Sequence, residues 1–233
     1  GSEMCIRDSA YAGQVVTDDN GTPNDTSDDW FYYYVPVKDK ASEAAGQDPF
    51  AIGVAKSKSP LGPWKDAIGK PLLTTSQTQI ETIDPAFFVD EDGTGYLHFG
   101  TFGTQLAINM KKEATTGRTS YTETETKADG TTPNLHTMKD ADNNANGPKG
   151  FFEAAWVFRK GDTYYNVYDG GKPGSGTATC VESNYQACIQ YSTSDSPLGP
   201  WKYQGVIVPS GSATTMHPSV LQFGDKWYVT YHT

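Results

Sequence analysis

The stretch DPAFFVDEDGTGYLHF, Asp84–Phe99, decides the fold, because its pattern returns twice further along the chain. EAAWVFRKGDTYYNVY begins at Glu153, and HPSVLQFGDKWYVTYH begins at His217. Each copy has a polar first residue, a short apolar run, a polar turn that contains glycine, and a second run rich in aromatic residues. Two β-forming runs joined by turn residues are typical of a β-hairpin. The sequence therefore predicts three equivalent hairpins.

A fourth, looser copy precedes these three. Tyr11–Val16 leads through a long polar loop to the aromatic run Trp30–Val37, and the position equivalent to the three polar first residues falls near Ala12, which carries no chemistry. Two of the four hairpins are followed by a further alternating run, at Ala51–Ser57 and at Cys188–Ser194. These runs predict a third strand in each unit.

The heptapeptide SPLGPWK follows both of these third strands, at Ser59–Lys65 and at Ser196–Lys202. Proline presets φ and glycine permits positive φ, so the heptapeptide predicts a tight turn that leads into an outer strand. We interpret it as a structural turn with no part in the chemistry. A four-stranded unit repeated in tandem is typical of a β-propeller.

The first strands of propeller blades line a common axis, so the residues that open them are predicted to converge. Asp84, Glu153 and His217 would then lie in one funnel. Two carboxyl groups in a cleft suit glycoside hydrolysis, in which one protonates the leaving oxygen and the other activates water. Aromatic residues beside them would supply apolar surface for sugar rings: Phe87, Phe151, Phe152 and Trp156. The alternative for Asp84, which precedes Pro85, is a purely structural role at the start of a strand.

Two segments do not fit the repeat. Gly1–Ser9, GSEMCIRDS, has no periodicity, and we interpret it as a non-native or sequence-assembly segment, with an ordinary chain terminus as the alternative. Ile108–Lys149 is rich in Thr, Asn, Asp and Lys and predicts a long surface excursion. The predicted organisation is therefore a partial propeller domain over residues 10–233 with a polar insertion at about residues 108–149.

Chain length, composition and net charge limit the fold class and the kinds of partner that the protein can have. A chain of 233 residues with 12% aromatic residues and 38 Gly plus Pro favours one all-β domain. The net charge of −10 argues against nucleic acid and anionic membranes as partners, and no apolar run approaches the roughly 18 residues of a membrane span. Cys180 and Cys188 are spaced for a loop disulfide, which would fit an oxidising compartment, or are two free thiols.

These motifs together resemble family 43 glycoside hydrolases over most of the chain. The resemblance rests on Ile83-Asp84-Pro85, on Glu153-Ala-Ala-Trp156 and on the recurrent SPLGPW turn, in this order. It implies a five-bladed β-propeller that acts on xylan- or arabinan-derived oligo- or polysaccharides as a β-xylosidase or an α-L-arabinofuranosidase. A β-fructosidase-like propeller shares the architecture but fits these motifs less well.

The resemblance also implies residue roles. Glu153 matches the general acid, Asp84 the aspartate that tunes and orients that acid, and His217 the axial histidine, which in many members helps to hold a calcium ion or a water molecule. Gln105 falls near a sugar-contacting segment of the family, although the wording Gly103-Thr104-Gln105 departs from the usual Gly-Gly-Gln. The predicted substrate contacts are Trp156, Gln105 and Phe152. No organic cofactor is expected.

The general base of the family is an aspartate in an Asp-Pro motif of the first blade, and it has no counterpart here. Asp48-Pro49 has the wrong place in its repeat. We therefore expect an incomplete propeller of about four blades without the first, an inverting acid/base mechanism, and a chain that is inactive or nearly so by itself. The alternative is a non-catalytic carbohydrate-binding propeller. We also expect secretion, and a monomer when the propeller is complete.

Overall fold

The structure, a computed structural model, describes residues 12–142, 146–171, 187–209 and 215–232. The chain divides into two compact units, one of Gly1–Leu97 with Ile108–Leu135 and the other of His98–Ala107 with His136–Thr233. The segment Gly1–Ser9 and the cysteine Cys180 lie outside the described residues. No helix in the described ranges is long and apolar enough to cross a membrane.

The first sheet contains the first copy of the SPLGPWK turn, Ser59–Lys65. Its strands follow one another in the order β1-β2-β3-β4, with β5 beside β3. Two short helices are joined to it. The elements, in chain order, are β1 Gln14–Asp18, β2 Trp30–Lys38, α1 Lys40–Ala44, β3 Phe50–Ser57, β4 Lys65–Asp66, β5 Leu73–Thr74 and α2 Thr75–Thr78. The predicted hairpin, third strand and outer strand are all present, because β1–β2, β2–β3 and β3–β4 pair antiparallel.

The second sheet begins with the hairpin of Asp84–Phe99. Its strands lie in the order β10-β8-β7-β6, and β9 pairs with β8. The strands are β6 Ala86–Val89, β7 Gly95–Phe99, β8 Leu106–Lys112, β9 Thr119–Thr124 and β10 Leu135–Thr137.

The interpretation of residues 108–149 as an excursion outside the blades was wrong. β8, β9 and β10 carry much of this segment into the sheet, and Ile108, Met110 and Met138 are each at most 1% exposed. The threonine-rich run Thr119–Thr124 pairs with β8 although it has few apolar residues. β-branched threonine suits a strand as well as a loop, so polarity alone misled the sequence reading.

The third and fourth sheets belong to the second unit. β11 Phe151–Lys160, β12 Thr163–Gly170, β13 Cys188–Ser194 and β14 Lys202–Val208 form a four-stranded antiparallel meander, and β15 Pro218–Phe223 pairs with β16 Lys226–Tyr231. These are the hairpins predicted at Glu153 and His217 and the strands predicted around the second SPLGPWK. Cys188 is buried and disulfide-bonded.

The two SPLGPWK turns have the same conformation. Gly62–Pro63 and Gly199–Pro200 are both cis, and the glycines have φ of 85° and 83°. In each copy the glycine N–H donates to the carbonyl of the first serine, at 2.9 Å and 3.1 Å. The two copies differ in their surroundings. Leu61 is 92% exposed, whereas its counterpart Leu198 is only partly exposed, and Trp64 is partly exposed, whereas its counterpart Trp201 is fully buried.

The first strands of the first two sheets begin in the same way. Ala12 and Asp84 each lie two residues before a strand, and they have positive φ of 51° and 57°. A non-glycine residue in this region is uncommon. The shared conformation supports the sequence alignment that made Ala12 equivalent to Asp84.

Candidate functional site

Glu153 lies on an irregular stretch of β11. In the register with β12, Phe151 opposes Gly170, Glu153 opposes Asp169, and the next regular pair begins at Trp156. Ala154 takes a positive φ of 58° within this bulge. Bulges re-aim side chains and often lie beside active sites. Glu153 is partly exposed, whereas its neighbours Phe152 and Ala154 are buried.

The carboxyl group of Glu153 is held by a threonine from another strand end. Thr101, just after β7, donates a hydrogen bond from Oγ1 to Oε2 of Glu153 at 2.7 Å. Thr101 is only 2% exposed, so little water competes for this contact. Hydrogen bonds to a carboxylate are stronger than bonds between neutral groups. Glu153 thus combines a fixed carboxyl oxygen with access to solvent.

An exposed aromatic ring follows Thr101. Phe102 is 61% exposed and has a positive φ of 51°. Its ring meets that of Phe152 edge to face, with centroids 5.7 Å apart, and Gly103 N donates to Phe152 O at 3.1 Å. The Thr101–Gly103 segment is therefore anchored on the residue that precedes Glu153, and it carries an exposed apolar ring.

Gln105 is fully buried, and both ends of its side-chain amide are engaged. Its Oε1 accepts from Asn166 Nδ2 at 2.8 Å, and its Nε2 lies 3.3 Å from Nδ1 of His98. Burial, reinforced by the charge of His136, lowers the pKa of His98 to about 3. His98 is therefore neutral at physiological pH. This placement does not support the predicted sugar contact of Gln105, because its buried amide already contacts Asn166 and His98.

Three of the aromatic residues expected to face sugar lie in hydrophobic packing instead. Trp156 packs against the core cluster that contains Val167 and Met216. Phe151 is 4% exposed and contacts Tyr168, and Phe87, in the first unit, is 3% exposed and stacks on Tyr34. Phe152 is nearly buried, at 9% exposure. The alternation of residues along these strands did not show which face of each strand would pack in the core.

His217 is linked to the strand of Glu153 through a buried aspartate. Asp169, fully buried and opposite Glu153, accepts a hydrogen bond from Met216 N at 3.1 Å. The next residue, His217, is largely buried, and this burial, with a smaller effect of His232, lowers its pKa to about 4. The imidazole is therefore neutral at neutral pH.

A neutral imidazole can bind a metal ion, but the residues around His217 do not complete a metal centre. Within the described ranges, no group of three or more His, Cys, Asp or Glu side chains could hold a metal ion. Calcium also prefers six to eight oxygen ligands. The described residues thus do not fit a protein-enclosed calcium site, and no chemical step is assigned to a metal.

Asp84 lies in the first unit, where it is buried, at 3% exposure, in the positive-φ conformation described above. The other predicted site residues lie in the second unit: Glu153, Trp156, Gln105, Phe152 and His217. Backbone strain at a non-glycine residue is often retained at functional sites. The role of Asp84 stays a prediction from the sequence.

Sequence reasoning missed Thr101, Phe102 and Asp169. Thr101 and Phe102 lie just beyond the end of the hairpin Asp84–Phe99, and the segment gave no motif of its own. Asp169 is the second-last residue of β12, the aromatic strand that follows Glu153. A signal was available for Asp169, since a carboxylate inside a run of strand-forming residues is rarely buried without a partner.

Comparison with known proteins places the chain in a family. The sequence profile "Glycosyl hydrolases family 43" matches residues 24–233. The chain belongs to this family. The arabinoxylan arabinofuranohydrolase of Bacillus subtilis is 32% identical over 190 residues, which cover 78% of this chain and 35% of that protein.

Solved structures of family 43 show the same fold. An α-L-arabinofuranosidase from Clostridium thermocellum superposes with a TM-score of 0.67 at 26% identity, covering 96% of this chain and 61% of that one. A β-xylosidase/α-arabinofuranosidase from a compost metagenome, solved with xylotriose in a calcium-free form, gives 0.58 at 26% identity and covers 87% and 60%. The all-β propeller prediction is confirmed. The family 43 chain spans less than two thirds of each of these three proteins.

Proposed function

We propose that this family 43 chain is the catalytic part of a glycoside hydrolase that cleaves xylan- or arabinan-derived glycosidic bonds. The observation that carries the proposal is the partly exposed carboxyl group of Glu153, re-aimed by a bulge and held by Thr101. The names of the relatives, which act on arabinoxylan or carry xylosidase and arabinofuranosidase activity, support the substrate class.

Glu153 is proposed as the general acid. Its proton would pass to the glycosidic oxygen as the bond to the anomeric carbon breaks, so that the leaving sugar departs as a neutral alcohol. General acid–base help of this kind contributes about 10²–10⁴-fold to the rate. Asp84 is proposed to orient and tune this acid, on the strength of its matched position in the repeat and its unusual backbone conformation.

The mechanism is proposed to be inverting. Water attacks the anomeric carbon from the face opposite the leaving group, and a second carboxylate, roughly 6.5–9.5 Å from the acid, removes its proton. None of the described residues is assigned to this second role. Asp169 is fully buried and accepts from Met216 N, so it is not offered as the base. The base is proposed to come from outside these 233 residues.

Sugar binding is proposed to use the exposed ring of Phe102, backed by Phe152. An exposed aromatic ring next in sequence to the threonine that holds the Glu153 carboxyl group offers the apolar surface and the polar group that a sugar site combines. Trp156, which is partly exposed, stays a proposed sugar contact, whereas Gln105 is fully buried and its amide is hydrogen-bonded to Asn166.

The protein is also proposed to act outside the cell. A polysaccharide substrate cannot enter a cell intact, and the disulfide at Cys188 fits an oxidising compartment.

The test compares the chain with Glu153→Gln on aryl and alkyl xylosides and arabinofuranosides, with and without added azide. Azide is a small anion that can stand in for a missing carboxylate, and its attack on the anomeric carbon gives a glycosyl azide. We expect little hydrolysis by the chain alone and azide-dependent turnover of both substrate types. In the presence of azide, Glu153→Gln should lose at least about 100-fold on the alkyl substrates and much less on the aryl substrates. Glu123→Gln, at an exposed glutamate paired with Lys111, is the matched control.

Full activity of Glu153→Gln on alkyl glycosides would remove Glu153 from the proposed role. Rapid unassisted hydrolysis by the chain itself would contradict the assignment of the base to a residue outside it. Oligosaccharide binding without any turnover, with azide or without, would favour a carbohydrate-binding propeller.

A further inference from the structure

Thr101 and Glu153 are held towards each other by backbone contacts on both sides. The Thr101 carbonyl accepts from Thr104 N at 3.1 Å, which closes a tight turn, and Gly103 N donates to Phe152 O at 3.1 Å. The hydroxyl group of Thr101 is thus fixed relative to the residue directly before Glu153. From this backbone position the hydroxyl group lies 2.7 Å from Oε2 of Glu153.

A carboxylic acid that donates a proton carries it on one of its two oxygens. An oxygen that accepts an O–H bond is well placed as the unprotonated, carbonyl-like oxygen, because a hydroxyl proton on the same atom would compete for the space. In Glu153 the oxygen that accepts from Thr101 is Oε2. While Thr101 donates to it, Oε2 is the carbonyl-like oxygen, and this hydrogen bond fixes the rotamer of the carboxyl group.

We propose that Thr101 is a positioning residue: its hydroxyl group holds the carboxyl group of Glu153 in one rotamer for proton transfer. Thr101 touches neither the substrate nor the reacting atoms in this scheme. The inference rests on the proposed function for its catalytic meaning, while the fixed orientation of Glu153 can be tested without any activity.

The decisive test measures the side-chain order of Glu153 by NMR in the 233-residue chain. Three-bond couplings across the Cβ–Cγ bond report whether one rotamer or several are populated, and the Glu153 signals are identified by their loss in Glu153→Gln. We expect one rotamer in the parent chain and in Thr101→Ser, which keeps the hydroxyl group. Thr101→Val, equal in shape but without a donor, is expected to give averaged couplings.

Thr119→Val is the matched control. Thr119 is 6% exposed and donates to Gly93 O at 2.6 Å, so its replacement removes a buried threonine hydroxyl group far along the sequence from Glu153. In Thr119→Val, the three-bond couplings of Glu153 are expected to equal those of the parent chain. If Thr101→Val does not fold, Thr101→Ala gives the same reading. Unchanged couplings in the variant that lacks the hydroxyl group would overturn the proposal.

Kinetics supply a second reading wherever turnover is measured, including the azide-assisted reaction. Thr101→Val should lower kcat about tenfold on alkyl glycosides and less than about twofold on nitrophenyl glycosides, whose leaving groups need little protonation, with KM nearly unchanged. Thr101→Ser should recover most of the loss. An equal loss on both substrate types would contradict a role through the acid.

The two proposals fail in different ways. If Glu153→Gln keeps its activity, Glu153 is not the acid, but a rotamer change in Thr101→Val would still show that Thr101 orients it. If the couplings do not change, Thr101 is not a positioning residue, and the role of Glu153 is unaffected.

Discussion

Asp169 and Glu153 are cross-strand partners in β12 and β11, and Asp169 is fully buried while Glu153 is partly exposed. Asp169, the buried partner, accepts a hydrogen bond from the backbone N–H of Met216, the residue before His217. One register pair thus connects the proposed acid with the start of β15. The position of His217 depends on a carboxylate that its own sequence neighbourhood does not contain.

Replacing Asp169 should loosen that connection. Asp169→Ala leaves the buried Met216 N–H without this acceptor, and we expect the free energy of unfolding to fall by about 1–3 kcal/mol. Asp169→Asn keeps an acceptor oxygen and should cost less. Urea unfolding measures both. Asp162→Ala, at a fully exposed aspartate, is the control and should stay within about 0.5 kcal/mol of the parent chain. An equally small effect at Asp169 would contradict the role given to the Met216 contact.

Phe102→Ala should weaken sugar binding without a matching loss of stability. The ring is 61% exposed, so little core packing is lost on truncation. We expect the dissociation constant for xylo- or arabino-oligosaccharides to rise about tenfold, which corresponds to about 1.4 kcal/mol. Isothermal titration calorimetry measures it. Phe223→Ala, at a ring that is 76% exposed on β15, should leave binding unchanged. Equal losses in the two variants would point to nonspecific contacts.

His98 should make the protein less stable in acid. Its pKa is lowered to about 3 in the folded protein, against an ordinary value of 6.5, so the unfolded chain binds the proton first as the pH falls. The stability that neutral His98 contributes is complete above about pH 6.5 and is lost towards pH 3, with a slope approaching 1.4 kcal/mol per pH unit. His98→Phe should be less stable at neutral pH but flatter between pH 6.5 and 4. Urea unfolding at several pH values tests this, and an unchanged slope would contradict it.

Gly62→Ala and Gly199→Ala should both destabilise their turns. A Cβ atom would meet Trp64 or Trp201 at 3.0 Å, and each φ lies in the left-handed region. We expect a cost of about 1–2 kcal/mol at each position from the backbone alone. The loss should be larger at Gly199, because Trp201 is fully buried and has less room to move. Thermal unfolding measures the pair, and a larger loss at Gly62 would contradict the explanation.

The hairpins were predictable because their signal is local. In Asp84–Phe99 and in the copies at Glu153 and His217, strand-forming runs flank a glycine turn, and the register follows from that turn. The duplicated heptapeptide likewise gave its conformation through proline and glycine. What decides these elements lies within about 16 residues of sequence in each case.

The site was predictable only in part, because contacts between distant segments decide it. Nothing near Gln105 in sequence shows that Asn166 will engage its amide, and nothing near Thr101 shows that its hydroxyl group will meet Glu153. The strands of residues 108–149 were missed for a related reason. Thr119–Thr124 enters the sheet by pairing with β8 although its residues are mostly polar, whereas Ile108 and Met110 of β8 did give a local apolar signal.

The two SPLGPWK copies distinguish the residues that the turn conformation requires from the residues that only packing requires. Seven identical residues take one conformation, although Leu61 is far more exposed than its counterpart Leu198, and Trp201 is more buried than its counterpart Trp64. Among related chains, glycine and the second proline should therefore persist at both turns, while the leucine position drifts freely at the first. Greater variation at the leucine of one turn than at that of the other would show, from sequence alone, which turn is exposed to solvent.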